Sequence, residues 1–594
     1  MLSQARGRIA RRYAAVLAFF CFAALIWTKF SGDRAEMSIT KDTPIHYKPS
    51  SYDWSKAQVY NPLRQLKTPP SGTPKQFNKV QYSAGSEAAA VAIGEELGSN
   101  ANTTEARRRA IKDVFVRTWK AYRKYAWKKD ELMPKSRRGR TTFSGWGAQL
   151  IDALDALWIM DLKAEFHEAV RAVAKIDWSK TDGKEINVFE VTIRYLGGLI
   201  AAYDLSQEPV LLRKAIELGD ALYAAFDTPN RLPPPRLDYK KAKEGRQQAY
   251  ARSSLAEAGT LSLEFTRLSQ LTGDPKYYDA TERLKTFFYR TQNKTAIPGL
   301  WTNDMNFRDE NPLEDAFSLG GGSDSMYEYL PKMHALLGGL DPEYEAMATQ
   351  ALEAARDNLL YKPMTRNDSN ILFPLSMGMG RGRCQGKKNH EMSHLACFAG
   401  GMYALAGRLL ARDDFVNIGG RLTAGCVYAY DVFATNLMPE AVNFVPCPGH
   451  FDDPCPVAER AFGTNPRDLP ESVARVRDAR YLLRPEAIES VYYMWRITGD
   501  EAWREAAWRM WEGITREAKT NVAYGTVLNV RQRGWGTANI METFWLGETV
   551  KYFYLIFQDE SVIDLDEWVL NTEAHPFRRP RPGVDISPMG NDLV

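Results

Sequence analysis

Carboxylates within predicted apolar helices are the groups of this 594-residue chain best placed to do chemistry. The segment NVFEVTIRYLGGLIAAYDLS carries Glu190 and Arg194, which are four positions apart and share one helix face. The segment LGGGSDSMYEYLPK places Asp324 and Glu328 directly after three glycines. Burying a carboxylate is costly unless it is paired or hydrogen-bonded. Each segment alone therefore indicates either a working site or a plainer feature, a structural ion pair or a capped helix start.

A third acidic segment, YLLRPEAIESVYYMWRITGD, opens an aromatic-rich predicted helix. Pro485 fixes the first turn of this helix. Glu486 and Glu489 project from one face, just after Arg484. Acids in a first turn also complement the helix dipole, so this segment alone is equally typical of an ordinary helix start.

The fourth acidic segment lies near the end of the chain, and its composition favours a metal ion. Glu542 and Glu548 stand in the almost wholly apolar segment METFWLGETVKYFYLIFQD, and Thr572 and Glu573 follow in VLNTEAHPF. Carboxylates with a threonine hydroxyl are hard oxygen ligands, which suit Ca²⁺ better than zinc. The sequence has no EF-hand loop, and solvated or ion-paired acids are the alternative interpretation.

The four segments together favour one kind of chemistry. Many carboxylates with aromatic neighbours, and no serine or cysteine nucleophile motif, are typical of glycoside hydrolysis, in which paired carboxylates act as acid and base. Aromatic residues make up 12% of the chain, which suits a carbohydrate cleft as well as a large helical core. The net charge of +4 is small, and no basic stripe carries interleaved aromatics, so nucleic acid is not expected as a partner.

The elements that must position these acids are predicted to be paired helices. From Arg107 onward, apolar residues recur at helical spacing and alternating β-branched runs are scarce. An acidic turn followed by a large apolar residue recurs, and Leu211, Tyr277, Tyr344 and Phe415 in these turns are 66, 67 and 71 positions apart. Each repeat has room for two helices and a loop. The long loops favour a closed all-α toroid over an open array, with the site at one end.

The N-terminal part predicts a membrane anchor and a stem. A basic tail, residues 1–12, precedes an apolar anchor, residues 13–30. A signal anchor is favoured over a cleaved signal peptide because no convincing cleavage site follows. Residues 31–105 are rich in Pro, Ser, Thr, Gly and Lys and predict a flexible stem. The catalytic domain is predicted over residues 106–577, followed by a basic tail, residues 578–594.

The cysteines agree with passage through an oxidising compartment. Cys21 lies within the predicted anchor, and five others follow in the lumenal part. Cys447 and Cys455 flank a short Pro-rich loop that a disulfide can close. No CxxC pair is present, so a zinc site is not expected. Three sequons, at Asn102, Asn293 and Asn367, are consistent with a lumenal protein.

Seven blocks of the sequence identify a family resemblance. They are SGWGAQLIDALDALWIMDL, NVFEVTIRYLGGLIAAY, LGGGSDSMYEYLPK, HLACFAGG, LLRPEAIESVYYMWRITGD, METFWLGETVKY and LNTEAHP. In this order they resemble the class I α-mannosidases, family 47 of the glycoside hydrolases, from about Arg107 to Phe577. The resemblance implies an (α/α)₇ barrel that hydrolyses terminal α-1,2-linked mannose with inversion.

The resemblance also implies roles for individual residues. Glu190 matches a candidate general acid acting through water, and Asp324 matches a second carboxylate proposed as the acid. Glu486 matches the general base, and inversion predicts acid and base carboxyls roughly 6.5–9.5 Å apart. Thr572 matches the residue that binds Ca²⁺ through its hydroxyl and carbonyl. Residues matching positions that line the sugar subsite or orient the waters of the ion are Arg194, Glu264, Glu328, Arg484, Glu489, Phe544, Glu548 and Glu573.

Further expectations follow from the same resemblance. Cys397 and Cys426, 29 positions apart, match the internal disulfide of the family. His394 lies in a matching block, where a satisfied core histidine is the simplest interpretation. The endoplasmic-reticulum type carries an arginine two residues before the aspartate of the LGGGSDSM block. The equivalent residue here is Gly322, which predicts a wider cleft and removal of several mannoses.

The resemblance implies high-mannose N-glycans on glycoproteins as substrates, and a monomer is expected. It places the chain in the Golgi or endoplasmic-reticulum membrane as a single-pass type II protein with a lumenal catalytic domain. Two other functions compete with the enzyme. A mannose-binding lectin of glycoprotein quality control would keep the fold and lose catalysis, but Glu190, Asp324, Glu486 and Thr572 are all present. A helical scaffold would have no need of buried acids in the last helices.

Overall fold

The acidic turns of the sequence join antiparallel helices in the computed structural model, which describes residues 44–82, 97–313, 316–378, 386–456 and 469–584. Residues from His46 onward belong to one unit. The α-helices are Leu97–Tyr125, Ala148–Asp152, Leu154–Ile159, Lys163–Val173, Val188–Glu190, Gly197–Ser206, Pro209–Tyr223, Tyr239–Lys243, Leu255–Gly259, Ser262–Thr272, Pro275–Thr291, Asp324–Leu336, Pro342–Leu359, Phe398–Leu409, Asp413–Asp431, Glu486–Thr498, Glu501–Glu517 and Val550–Ile556. Two π-helical segments are Val191–Leu196 and Trp545–Thr549, and 3₁₀ turns are Trp54–Lys56, Ala224–Phe226 and His394–Cys397.

These helices close into a ring. Within the described ranges an inner helix and an outer helix form each of seven pairs, and neighbouring inner helices pack on one another. The ring closes where Val550–Ile556 packs on the first helix, Leu97–Tyr125, and where Trp545–Thr549 packs on Leu154–Ile159. The inner helix Asp324–Leu336 is buried at every position after Asp324. The predicted all-α barrel of paired helices is confirmed.

Acidic turns begin five of the outer helices, as the repeat predicts. The side chains of Asp274, Asp341 and Asp500 each accept a hydrogen bond from the backbone N–H two residues on. Pro275 and Pro342 occupy the first turn, where a missing N–H costs nothing. The turns at Glu208 and Asp413 lack such a cap: Glu208 makes no side-chain cap bond, and Asp413 is the first residue of its own helix. The acidic turn is therefore a capping signal at three of its five occurrences.

Short strands lie almost entirely in the long connections between pairs. The strands are Glu131–Met133, Arg138–Arg140, Ile186–Asn187, Arg236–Leu237, Ser253–Ser254, Asp304–Asn306, Asn311–Pro312, Ala316–Phe317, Leu360–Tyr361, Phe373–Pro374, Ser376–Gly378, Lys387–Asn389, Glu391–Ser393, Ala441–Phe444, Val473–Asp478, Trp568–Leu570 and Pro576–Arg578. They pair antiparallel in sheets of two or three strands. Within a pair, a short turn joins the inner helix to the outer helix, whereas long connections join one pair to the next. The barrel therefore has a short-turn end and a long-loop end, and the strands lie mainly at the long-loop end.

Residues 46–82, called the strap here, run along the barrel, so the prediction of a flexible stem is wrong for them. Backbone N–H groups of the strap donate to carboxylates of successive repeats. These bonds, each 2.8 Å long, join Asn61 to Asp227, Lys67 to Asp279 and Val80 to Asp566. The N–H of Lys75 donates to the carbonyl of Gly338 in a short turn at 2.8 Å. The first α-helix of the described ranges begins at Leu97, also within the predicted stem.

Two disulfides are present among the described residues, and both were expected. Cys397 pairs with Cys426, with Cα atoms 6.0 Å apart, and so joins the start of the inner helix Phe398–Leu409 to its outer partner. Cys447 pairs with Cys455 across the Pro-rich loop, with Cα atoms 5.5 Å apart. Cys21 and Cys384 lie outside the described residues. No helix of the described ranges is both long and apolar enough to cross a membrane, and the predicted anchor, residues 13–30, lies outside those ranges.

Candidate active site

A cleft of about 410 Å³ opens at the long-loop end of the barrel and gathers nearly all of the predicted site residues. The chain brings them together from positions almost 400 residues apart. The predicted residues that line this cleft are Glu190, Arg194, Asp324, Glu328, Arg484, Glu486, Glu489, Phe544, Glu548, Thr572 and Glu573. The cleft is mixed in character, because apolar side chains such as Phe189 and Leu395 share its wall.

The candidate acid and base residues lie at the starts of inner helices. Asp324 is the first residue of Asp324–Leu336, and Glu486 is the first residue of Glu486–Thr498. Glu190 ends a single turn whose cap is Asn187, which accepts a bond from the N–H of Glu190 at 3.2 Å. Because inner helices all begin at the long-loop end, their first residues converge on one cleft. Helix starts also favour negative charge.

Arg194 links three parts of the site. Its Nε donates to Glu190 at 2.8 Å, and its Nη1 donates to Glu573 at 2.6 Å and to the hydroxyl of Thr543 at 3.1 Å. Burial alone would lower the pKa of Arg194, but the charges of Glu573 and Glu190 outweigh it and raise the pKa well above its ordinary value. Arg194 lies in a π-helical segment, a conformation that is common at functional sites. It therefore holds Glu190 and Glu573 in fixed positions.

Glu486 has a partner that the sequence did not reveal as functional. His394 Nδ1 lies 2.9 Å from Glu486 Oε2, and His394 Nε2 lies 2.8 Å from the hydroxyl of Tyr430. When Tyr430 donates to Nε2, the neutral imidazole carries its hydrogen on Nδ1 and donates it to Glu486. His394 is fully buried. It is a positioning residue for Glu486, and the simplest sequence interpretation, a satisfied core histidine, leaves out this contact.

Charge also keeps Glu486 ionised. Arg484 Nη1 lies 3.5 Å from Glu486 Oε1 and is itself held by Glu440, which accepts from Arg484 Nε at 2.7 Å. Burial raises the pKa of Glu486, but the hydrogen bond from His394 and the charge of Arg484 outweigh it and hold the pKa below its ordinary value. Glu440 is a site residue that sequence reasoning missed, because it lies in a connecting segment outside every acidic block.

Asp324 has the opposite electrostatic environment. Its carboxylate accepts one bond from the N–H of Ser325 at 2.9 Å. Burial raises the pKa of Asp324 to about 7, and the charges of Glu328 and Glu486 raise it further while Arg484 opposes them. A carboxyl with this pKa carries a proton for part of the time near neutrality. Of the candidate catalytic carboxyls, Asp324 therefore has a raised pKa and Glu486 a lowered one.

The floor of the cleft contains crowded carboxylates. Burial, and then the charge of Glu328, raise the pKa of Glu489 well above its ordinary value. Burial, and then the charge of Glu573, do the same for Glu548. Glu328 bonds to the buried ammonium group of Lys332, one of the cations near this cluster. Such crowding of negative charge indicates a place where a bound cation would be stabilised.

Thr572 reaches the cleft from the tip of a hairpin. Strands Trp568–Leu570 and Pro576–Arg578 pair antiparallel, and Leu570 faces Pro576 across the ladder. The side chain of Asn571 organises the turn, because its Oδ1 accepts from the N–H groups of Glu573 at 2.8 Å and His575 at 2.9 Å. The turn therefore presents Thr572 and Glu573 side by side in the cleft.

The oxygen donors here fit Ca²⁺. Among the described residues, no group of three or more His, Cys, Asp or Glu side chains is arranged to hold a metal ion by itself. Thr572 would hold the ion through its hydroxyl and carbonyl oxygens, and the crowded carboxylates would hold its coordinated waters. Ca²⁺ accepts backbone carbonyls, hydroxyls and waters as ligands, and it needs no fixed geometry. The fit therefore depends on Thr572 and on Glu489, Glu548 and Glu573 around it.

Two of the acids singled out in the sequence lie outside the cleft. Glu264 is fully buried and accepts bonds from Asn571 and from the hydroxyl of Tyr329, each at 2.7 Å. Burial raises the pKa of Glu264 to about 7. Glu264 therefore does not line the sugar cleft, the first of the two roles predicted for its group, and instead supports the turn that carries Thr572. Glu542 is also absent from the cleft lining and lies 3.8 Å from Arg140.

Gly322 lines the cleft two residues before Asp324. Its φ is +96°, a conformation that favours glycine, and a Cβ added there would have no heavy atom within 4 Å. The space that a side chain would fill is therefore open. This agrees with the wider cleft predicted at this position.

Comparison with known proteins supplies a second line of evidence. The model of glycosyl hydrolase family 47 matches residues 114–579. The probable mannosyl-oligosaccharide alpha-1,2-mannosidase 1B of Aspergillus niger is 33% identical over 514 residues, which are 81% of this chain and 93% of that protein. The mannosyl-oligosaccharide 1,2-alpha-mannosidase IB of Mus musculus is 34% identical over 484 residues, 79% of this chain and 69% of that protein. The structure of the alpha-1,2-mannosidase from Trichoderma reesei matches with a TM-score of 0.73 and 30% identity, covering 80% of this chain and 99% of that one.

Proposed function

The chain belongs to glycosyl hydrolase family 47, and on that basis we propose that it removes terminal α-1,2-linked mannose from high-mannose N-glycans with inversion and with Ca²⁺. The observation that carries the proposal is the contrast between two carboxyls of one cleft. The pKa of Asp324 is raised to about 7, and that of Glu486 is held below its ordinary value. An acid that keeps its proton and a base that has lost it are the two groups an inverting glycosidase needs.

The reaction then assigns a task to each residue. Glu486 accepts a proton from the water that attacks the anomeric carbon, and His394 and Arg484 keep its carboxylate ionised and oriented. On the other face of the sugar, a protonated carboxyl donates to the departing glycosidic oxygen. Asp324 has the pKa for this donation, and Glu190, held by Arg194, is the alternative donor acting through a water.

Ca²⁺, when bound at Thr572, supplies a fixed positive charge and oxygen coordination that position sugar hydroxyls. Thr572 provides two oxygens from one residue, and Asn571 fixes the turn that aims them. Glu489, Glu548 and Glu573, which line the cleft beside Thr572, would orient the waters of a bound ion. Phe544, whose ring faces the cleft beside Arg484, supplies an apolar wall for the sugar.

The location we propose is the membrane of the Golgi or endoplasmic reticulum, with a lumenal catalytic domain. Disulfides Cys397–Cys426 and Cys447–Cys455 support an oxidising compartment. The sequon residues Asn293 and Asn367 are both exposed, as glycosylation requires. The type II orientation rests on the sequence of residues 1–30 alone, and a monomer stays a prediction.

The experiment follows the mass of a nine-mannose N-glycan incubated with the detergent-solubilised full chain. We expect stepwise loss of mannose that stops when Ca²⁺ is chelated and returns when Ca²⁺ is restored, with the product first released as the β-anomer. Retained α-configuration would overturn the inverting mechanism. Activity that persists in chelator would overturn the role of Ca²⁺. Tight binding of the glycan without any loss of mass would favour the lectin alternative.

A further inference from the structure

A second, basic cavity of about 180 Å³ adjoins the cleft. It is formed by the connecting segment 234–250 together with Arg308. Its charged lining residues are Arg236, Lys241, Arg246 and Arg308, against a single carboxylate, Asp238. A neutral oligosaccharide does not require so many cations, and nothing in the proposed mechanism uses them.

Arg308 is the cation of this cavity best prepared for a ligand. The N–H groups of Phe307 and Arg308 both donate to the carbonyl of Tyr250 at 3.1 Å, which fixes the backbone. The Nε of Arg308 donates to the carbonyl of Ala249 at 3.2 Å, which fixes the guanidinium. Within the described residues, its two terminal nitrogens have no carboxylate within 4.0 Å. They form an exposed pair of donors of the kind that binds phosphate or carboxylate in a bidentate manner.

The other cations have partners, but those partners lie outside the cavity or are distant. Lys241 Nζ is 3.7 Å from both Asp238 and Glu185. Arg246 pairs with Glu244, and both side chains are exposed. Exposed ion pairs of this kind are worth little, so an incoming anion can replace them. The lining therefore presents a positive field to any group that enters.

Arg236 connects this cavity to the mannose cleft, because it lines both. It lies opposite Asn187 in a short antiparallel ladder, and Asn187 also lines the cleft. Arg236 Nη1 pairs with Glu257 at 3.0 Å on the cleft side. A substituent on a sugar bound beside Arg236 would therefore lie close to the basic cavity.

We propose that this cavity is a subsite for an anionic ester, phosphate or sulfate, carried by the oligosaccharide next to the mannose that is removed. The inference rests on the proposed function and narrows its substrate class. An ester on the glycan is favoured over an acidic side chain of the glycoprotein because the cavity shares a wall with the sugar cleft. Its small volume also suits one compact anion better than a peptide segment.

The test compares initial rates of the full chain on three oligomannose substrates. One is neutral, one carries a phosphate monoester on the mannose neighbouring the terminal α-1,2-linked residue, and one carries a sulfate ester there. We expect kcat/KM on at least one ester to exceed that on the neutral substrate about tenfold at low salt, the size of a charge-assisted bidentate contact. The preference should decline as salt screens the charges.

Two variants make the test specific to the cavity. Arg308→Ala should reduce the ester preference to about one. Arg533→Ala is the matched control, because Arg533 is also exposed and is also held through Nε by a backbone carbonyl, that of Ala434 at 2.7 Å, away from both cavities. It should keep the tenfold preference.

Each outcome has a distinct meaning. Hydrolysis of the neutral substrate tests the proposed mannosidase function. The ratio of kcat/KM on an ester to kcat/KM on the neutral substrate tests the anion subsite. Equal rates on all three substrates in the unaltered enzyme would overturn the subsite and leave the mannosidase intact. A preference that survives Arg308→Ala would overturn it as well. A neutral glycan on an acidic peptide is the fourth substrate: a gain on it that is lost in Arg308→Ala, with no gain on either ester, would replace the ester by a peptide.

Discussion

Two inner helices of the barrel each begin with a carboxylic acid that faces the same cleft, and the pKa values of these two acids are shifted in opposite directions. Asp324 opens one helix and Glu486 opens the other. Burial raises the pKa of Asp324 to about 7, whereas the pKa of Glu486 lies below its ordinary value although burial acts on it as well. The position two residues earlier is Gly322 in one case and Arg484 in the other. Position in the repeat therefore brings a carboxyl to the cleft, and its neighbours decide whether it works as acid or base.

Removing the base is expected to have the largest effect. Glu486→Gln keeps the shape of the side chain but cannot accept a proton, so kcat should fall on the order of 10³- to 10⁴-fold. Release of mannose under saturating glycan measures this. Glu501→Gln alters the first residue of the paired outer helix, where the side chain is 63% exposed, and should leave kcat within a factor of two. A small effect of Glu486→Gln would remove Glu486 from the role of base.

Removing the acid should have the next largest effect and a distinct pH signature. The donor must be protonated, so activity should be present below the pKa of Asp324, about 7, and decline above it. Asp324→Asn should lower kcat about 10²- to 10³-fold and abolish this basic limb. The pH profile of kcat/KM between pH 4 and 9 measures both. If the basic limb persists in the variant, Glu190 is the donor.

Removing the hydrogen bond between His394 and Glu486 should have a moderate effect on activity. His394→Ala removes the hydrogen bond that lowers the pKa of Glu486, so the acidic limb of the profile should move to higher pH and kcat/KM at neutral pH should fall about tenfold. His394→Asn retains an N–H donor and should partly restore the limb. His334→Ala removes another buried histidine, distant from Glu486, and should reduce stability without moving the limb. An unchanged limb in His394→Ala would confine His394 to packing.

Giving Asp324 the same kind of cationic neighbour that Glu486 has should have the smallest effect on rate. Gly322→Arg places a cation two residues before Asp324, as Arg484 stands before Glu486. The basic limb should move to lower pH, and trimming should stop after fewer mannoses because the open space is filled. Gly322→Ala imposes the strain of φ +96° without the charge and is the control. If Gly322→Arg leaves the trimming pattern unchanged, Gly322 does not determine how many mannoses are removed.

The sequence identified the acids of the cleft but not the residues that contact them and set their pKa values. Glu190, Asp324 and Glu486 were identified because their local blocks resemble a family, and the paired helices because apolar spacing is a local signal. The contact of His394 with Glu486 spans 92 positions, and that of Glu440 with Arg484 spans 44. Contacts at such separations depend on closure of the ring, which no local pattern encodes.

The strap shows the same limit for a whole segment. Its composition predicts disorder because it has no apolar periodicity. The structure orders it through backbone N–H groups that donate to Asp227, Asp279 and Asp566. These acceptors belong to residues that the sequence presents as ordinary surface acids. A segment that lacks apolar residues for a core of its own can therefore be held in place by hydrogen bonds to the folded barrel.

The path of the strap has a consequence for biosynthesis. Val80 bonds to Asp566, which follows it by 486 positions, so this end of the strap must wait until residue 566 has left the ribosome. At translation rates of roughly 5–20 residues per second, that wait is about half a minute to a minute and a half. During this interval the acceptors on the first repeats are complete, but the strap cannot reach its final attachment. The strap is thus completed only after residue 566 has emerged, and until then the nascent chain leaves this end of the strap unattached.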